Sequence, residues 1–71
     1  MADGDDVREY TNSEIRFVID EWIHSERDRK ILYRRLIDGL TIEELSEEFD
    51  RSPRQMQRII NRLQTIVFLR L

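Results

Sequence analysis

Signals for the start of a helix recur four times along this chain and constrain its fold more than any other feature. Each is a Ser or Thr that can cap a helix by accepting a hydrogen bond from a backbone N–H of the first turn. The four residues are Thr11, Ser25, Thr41 and Ser52. Three of them are followed three positions later by Glu or Gln, the spacing of a capping box. Helix breakers are rare, since the 71 residues include two Gly and one Pro. The sequence therefore predicts an all-α fold.

The hydrophobic pattern agrees with these starting points. In the first segment, apolar residues recur three and four positions apart, which places them on one side of a helix. They are Ile15, Val18, Ile19, Trp22 and Ile23. Gly39 follows the second segment, where a helix commonly ends in a left-handed residue. We predict helices over residues 11–24, 26–38, 42–49 and 53–70.

The first nine residues differ from the rest of the chain. Residues 1–9 hold four acidic residues against one arginine and show no apolar period. Such a segment cannot bury enough apolar surface to order itself. We predict that residues 1–9 form a disordered acidic arm and that residues 10–71 form one domain.

Composition excludes several classes of function. The chain has no cysteine and a single histidine, which excludes a disulfide scaffold and a thiolate zinc site. It has no glycine-rich loop or nucleophile motif, so we expect no enzyme, no metal and no cofactor. The longest apolar run, residues 66–69, is far shorter than the roughly 20 residues that cross a bilayer. The acidic N-terminus is unlike a signal peptide. We expect a cytoplasmic protein that does not enter a membrane.

Charge is distributed unevenly. The net charge is −3, but residues 51–71 carry five arginines and no acidic residue. On the fourth predicted helix, arginine and neutral polar side chains fall on the side opposite the apolar stripe. A solvated helix face normally mixes both signs of charge. A face without acidic residues therefore favours contact with nucleic acid, because arginine is suited to bind phosphate and guanine.

The connection between the third and fourth helices is short. Only residues 50–52 separate Phe49 from Pro53, which is too few for antiparallel helices to fold back comfortably. Such a link favours two helices that cross steeply, as in a helix-turn-helix with its turn near residues 50–52. The fourth helix would then be a long recognition helix, whose first residues reach base edges in the major groove of DNA.

The segment DGLTIEELSEEFDRSPRQMQRIINRL, residues 38–63, resembles a known family. It is similar to the helix-turn-helix in the last conserved region of sigma-70-type bacterial sigma factors, and to modules of small phage and prophage regulators. The resemblance implies buried positions at Leu45, Phe49, Met56 and Ile59. It also implies that the two helices cross at the small residue Ser46. Residues Ser52 to Asn61 correspond to the start of the recognition helix. Two residues depart from the family pattern: Asp50 stands where the turn usually has glycine, and Arg51 where an apolar residue is common.

The candidate DNA contacts come from the turn and from the polar side of the fourth helix. They are Arg51, Ser52, Arg54, Gln55, Gln57, Arg58, Asn61 and Arg62. Arg54 and Arg58 can form bidentate hydrogen bonds with guanine. Gln57 or Asn61 can do so with adenine. We therefore predict double-stranded DNA as the partner.

A second, weaker set of basic residues lies on the second predicted helix. Arg27, Lys30 and Arg34 are candidates for contact with the DNA backbone. Alternatively, they pair with the glutamates of the third helix, which are Glu43, Glu44, Glu47 and Glu48. These glutamates repel DNA, so we expect the third helix to face away from the phosphates or toward a basic protein.

Two functions of different classes remain open. The first is a double-stranded DNA-binding protein that acts in transcription regulation or initiation, as sigma factors do. The second is a protein-interaction module that binds RNA polymerase or another regulator. Phe17, Phe68 and Leu69 fall off the apolar stripes and predict an interface for a second copy or another partner. The alternative is that the first helix covers both sides of the last one and buries these residues.

Overall fold

The computed structural model describes residues 10–71. This part of the chain contains no strand and folds into four helices: α1 (Asn12–Trp22), α2 (Glu26–Leu32), α3 (Ile42–Glu48) and α4 (Pro53–Arg70). A π-helical turn over Tyr33–Ile37 continues α2. The predicted all-α fold is confirmed, whereas the arm predicted at residues 1–9 lies outside the described residues. No helix in the described range is long and apolar enough to cross a membrane.

The predicted caps determine where the helices begin. At α1, the Thr11 hydroxyl accepts a hydrogen bond from the backbone N–H of Glu14 at 3.1 Å. In return, the Glu14 carboxylate accepts one from the backbone N–H of Thr11 at 2.9 Å. The same reciprocal pair of bonds opens α3 and α4. The Ser25 hydroxyl caps α2 by accepting from the backbone N–H of Asp28. Each predicted start therefore agrees with the structure to within one residue.

Two hydrophobic clusters hold the helices together. The first joins α1, α2 and the second half of α4, and its buried residues are Ile15, Val18, Ile19, Ile23, Leu32, Leu63 and Val67. The second joins α2, α3 and the first half of α4, and its buried residues are Ile31, Leu45, Met56 and Ile60. Burial of each such aliphatic side chain contributes about 1.5–3 kcal/mol. The two clusters fix α4 along its length and leave its polar side exposed.

The π-helical turn after α2 is a feature that the sequence pattern does not indicate. Its wider hydrogen bonding is seen at Asp38, whose backbone N–H donates to the Tyr33 carbonyl at 3.1 Å. Gly39 then adopts a φ of 78°, in agreement with its predicted position after the helix. The guanidinium of Arg35 donates to the Leu40 carbonyl at 2.7 Å and closes this end of the helix.

The connection from α3 to α4 contains a left-handed residue that is not glycine. Asp50 has a φ of 57°. The backbone N–H of Arg51 donates to the Ser46 carbonyl at 2.9 Å, and that of Asp50 donates to the Glu47 carbonyl at 3.4 Å. These two bonds form a Schellman motif, which satisfies carbonyls that the end of α3 would otherwise leave unpaired. Asp50 thus takes the conformation for which a helix end usually has glycine.

Candidate nucleic-acid interface

The first turn of α4 is built by two of the candidate residues. The Ser52 hydroxyl accepts a hydrogen bond from the backbone N–H of Gln55 at 3.2 Å. The Gln55 side-chain oxygen accepts from the backbone N–H of Ser52 at 3.3 Å. Pro53 occupies the first helical position. A backbone N–H at this position would have no acceptor within the helix, so proline loses no hydrogen bond there. Ser52 and Gln55 therefore set the start and direction of α4.

The outward side of α4 carries five of the other six candidates, and we call it the basic face. It comprises Arg54, Gln57, Arg58, Asn61 and Arg62, all of them exposed. Arg54 and Arg58 form no ion pair with any carboxylate of residues 10–71. The same holds for Arg51, which is exposed in the turn before α4. Arg54 and Arg58 of the basic face, and Arg51 beside it, thus present guanidinium groups that no carboxylate of residues 10–71 neutralises.

One carboxylate does reach the edge of the basic face. Asp28 on α2 is buried, and its Oδ1 lies 3.0 Å from Nη2 of Arg27. Its Oδ2 lies 3.7 Å from Nη2 of Arg62 on α4. Arg27, which belongs to the weaker candidate set, is therefore brought next to Arg62 of the main set. The candidate surface continues from α4 onto the start of α2.

The other two residues of the weaker set differ from Arg27. Arg34 donates through Nη2 to Glu48 at 2.8 Å and through Nη1 to Asp38 at 2.9 Å. These hydrogen bonds, with Glu48 contributing most, raise the pKa of Arg34 above its ordinary value. The ion pairing expected as the alternative is thus present at Arg34, where it joins the π-helical turn after α2 to α3. Lys30 is exposed and pairs with no carboxylate in the described range.

Several arginines outside the basic face have structural partners. Arg29 donates to the Ile23 carbonyl at 2.6 Å, beyond the end of α1. The Arg70 guanidinium carbon lies 3.8 Å from the centre of the Trp22 ring, a distance typical of a cation–π contact. Arginine count alone does not distinguish these residues from Arg54 and Arg58. The distinction comes from which carbonyls, rings and carboxylates the fold places nearby.

The four glutamates of α3 differ in their surroundings. Glu44 belongs to a capping box and Glu48 pairs with Arg34. Glu43 and Glu47 are exposed and line an open crevice of about 340 Å³ beside the turn. Arg51 lines the same crevice. The α3 side of the turn is therefore negative, while the outward side of α4 is positive.

The predicted interface residues Phe17, Phe68 and Leu69 differ in their exposure. Phe17 is 66% exposed and Leu69 is 77% exposed. Phe68, predicted to point away from the core, is instead half-buried and packs against the first hydrophobic cluster. This correction has a physical reason: α4 contacts α1, α2 and α3, so more of its circumference is covered than one apolar stripe suggests. Phe17 also lines an open groove of about 330 Å³ with Tyr10, Val18 and Leu71.

Sequence reasoning missed two polar features. It did not find Asp28 as a site residue, because its contact with Arg62 spans two helices. It also did not find that the Tyr33 hydroxyl donates to Asp20 of α1. Burial, followed by this hydrogen bond, raises the pKa of Tyr33 above its ordinary value. Within residues 10–71, no group of three or more acidic or histidine side chains is placed to hold a metal ion.

Comparisons with protein-family models, with curated proteins and with solved structures give no match to this chain.

Proposed function

We propose that this chain is a double-stranded DNA-binding protein of the helix-turn-helix type that acts in transcription regulation or initiation. In this proposal α3, the turn near residues 50–52 and α4 form the helix-turn-helix. The observation that carries it is the pair Arg54 and Arg58, exposed on α4 and without an ion pair among residues 10–71. Arginine in the first turns of a recognition helix can bind guanine or phosphate.

The packing of α3 on α4 supports the helix-turn-helix. Leu45 and Met56, two of the positions implied to be buried by the sigma-factor resemblance, are fully enclosed. Ser46, the small residue proposed at the helix crossing, is 5% exposed. Asp50 departs from the family in residue type but adopts the left-handed conformation that glycine favours there. These features support a turn of the proposed kind.

The distribution of charge supports an orientation on DNA. The basic face is turned toward the duplex, while Glu43 and Glu47 of α3 are kept away from the phosphates. Arg27, beside Arg62, lies where it can contact the backbone next to the groove that α4 enters. Each phosphate contact should make the negative slope of log affinity against log salt concentration steeper by about 0.9.

A fluorescence-anisotropy titration with the full chain tests this proposal. Mixed-sequence duplexes are titrated at two salt concentrations with the wild type, Arg54→Ala, Arg58→Ala and Glu47→Ala. We expect each arginine variant to lose about 1–3 kcal/mol of binding free energy if its side chain reads a base. Glu47→Ala, the control on the acidic side, should bind at least as tightly as the wild type. Absence of wild-type binding at low salt, or equal losses in all three variants, would contradict the proposal.

A protein-interaction module that binds RNA polymerase or another regulator is the second candidate function. One observation favours it: Glu43 and Glu47 are exposed beside an open crevice and pair with no basic side chain of residues 10–71. Such a surface suits a basic protein segment. In this case Glu43→Lys together with Glu47→Lys should abolish capture of purified polymerase without reducing DNA affinity.

A further inference from the structure

Two amide side chains on the basic face form a hydrogen bond with each other. Nε2 of Gln57 donates to Oδ1 of Asn61 at 2.9 Å, across one turn of α4. Both side chains are exposed. The bond orients the two amides relative to each other before any ligand is present. We call Gln57 and Asn61 the amide pair.

The amide pair still has hydrogen-bonding groups that its internal bond does not use. Nδ2 of Asn61 carries two N–H donors, and Oε1 of Gln57 carries acceptor lone pairs. Exchanging the roles of the two amides would again leave one donor group and one acceptor group available. The pair therefore carries both a free donor and a free acceptor on one exposed side of α4.

Among the bases, adenine complements this combination in the major groove. Its edge presents the N7 acceptor beside the N6 amino donor. Guanine presents two acceptors there, thymine an acceptor and a methyl group, and cytosine a donor. The neighbouring Arg54 and Arg58 carry donors only and match guanine rather than adenine.

We propose that Gln57 and Asn61 act as one unit that selects an A·T base pair in the duplex bound by α4. Nδ2 of Asn61 donates to adenine N7, and Oε1 of Gln57 accepts from adenine N6. This inference rests on the proposed function, because it concerns what the basic face reads once DNA is bound.

The internal bond explains why both residues serve a single contact. A lone glutamine loses side-chain freedom when it binds, whereas Gln57 is already restrained by Asn61. Removal of Asn61 takes away one contact with the base and also releases Gln57. Removal of Gln57 takes away the other contact and leaves Asn61 without its partner. Substitution of either residue should therefore relax the same base position, and the two effects should not add.

A duplex-selection experiment tests the inference with the full chain. A library of duplexes with a randomised central segment is enriched separately on the wild type, Gln57→Ala, Asn61→Ala and Asn12→Ala. Asn12 is a matched control, since it is an exposed amide residue on α1. We expect the wild type and Asn12→Ala to enrich an A·T pair at one position. Both α4 variants should lose the preference at that same position.

A modified base then identifies the atom that is read. In the duplex most enriched by the wild type, 7-deazaadenine replaces the selected adenine and removes the N7 acceptor. We expect wild-type affinity to fall roughly 5- to 150-fold, whereas the affinity of Asn61→Ala should not change.

Three outcomes would overturn the inference while DNA binding stands: relaxation of different positions by the two variants, no selected adenine, or equal loss on 7-deazaadenine in wild type and Asn61→Ala. Failure of the wild type to enrich any duplex would overturn the proposed function itself.

Discussion

Asp28 on α2 lies with its carboxylate oxygen 3.7 Å from the guanidinium of Arg62 on α4, at the edge of the basic face. The same carboxylate pairs with Arg27 at 3.0 Å. One buried acidic residue therefore holds two of the proposed DNA-contacting arginines. From this position, Asp28 should compete with DNA phosphates for the guanidinium groups of Arg27 and Arg62.

Substitution of Asp28 tests this relationship. Asp28→Asn removes the negative charge, so Arg27 and Arg62 should become free to contact phosphates. We expect tighter binding to duplex DNA and a steeper salt dependence, by about 0.9 in slope for each new phosphate contact. Anisotropy titrations over a series of salt concentrations measure both quantities. Glu43→Gln is the control, because it removes one negative charge from the α3 side; an equal gain in both variants would show a general charge effect only.

Asp50 offers a test of the turn. A non-glycine residue in the left-handed region is strained, most of all when it is β-branched. We expect Asp50→Gly to be at least as stable as the wild type, with a gain of up to about 1 kcal/mol, and Asp50→Val to lose about 1–2 kcal/mol. Urea unfolding of the three proteins measures the differences. A loss of stability in Asp50→Gly would show that the aspartate side chain itself stabilises the turn.

The second hydrophobic cluster should be essential for holding α3 against α4. Leu45 is fully buried in this cluster, so Leu45→Ala leaves a cavity between the two helices. We expect a loss of about 2–5 kcal/mol in the free energy of unfolding. Leu69→Ala is the control, since Leu69 is 77% exposed and its removal should change stability by less than about 0.5 kcal/mol. Similar losses in both variants would contradict the described packing.

The Tyr33 contact predicts a dependence of stability on alkaline pH. The pKa of Tyr33 is raised in the folded protein, mainly by burial and further by Asp20, so the folded state favours the neutral phenol. This stabilising effect is complete below the unfolded-state pKa of about 10 and is lost as the pH rises through the folded-state pKa. Urea unfolding at pH 8 and pH 10.5 should show a smaller decrease in Tyr33→Phe than in the wild type. An identical decrease in both proteins would exclude Tyr33 as its cause.

Self-association remains a prediction that the exposed apolar residues motivate. Phe17 and Leu69 are the suitable test sites, because Phe68 is half-buried and its substitution would also disturb the core. If these residues form a contact between two copies, light scattering should show concentration-dependent dimers that Phe17→Glu or Leu69→Glu abolishes. A wild type that stays monomeric at tens of micromolar would leave Phe17 and Leu69 to contact a different partner.

The sequence sufficed for the features that depend on contacts within one helical turn. Thr11 with Glu14 and Ser52 with Gln55 form the boxes that their three-residue spacing predicts. Asp50 is also a local feature, but the sequence marks it only as a residue that stands where the family pattern has glycine, and its left-handed φ of 57° comes from the structure. Local hydrogen bonding decided these features, so the order and starting points of the helices could be predicted without knowledge of their packing.

Only the tertiary structure decided which polar side chains form ion pairs and which aromatic side chains pack against the core. The charge pattern marks Arg34 and Arg58 alike as candidates, yet Arg34 reaches Glu48 on another helix and Arg58 meets no carboxylate of residues 10–71. Phe68 lies off the apolar stripe of α4 but packs against the core. The reason is physical: a long side chain takes its partner from whichever helix the fold places beside it. The packing of the hydrophobic clusters determines which helix is the neighbour. The partner residue is then distant in the sequence, so residue spacing does not identify it.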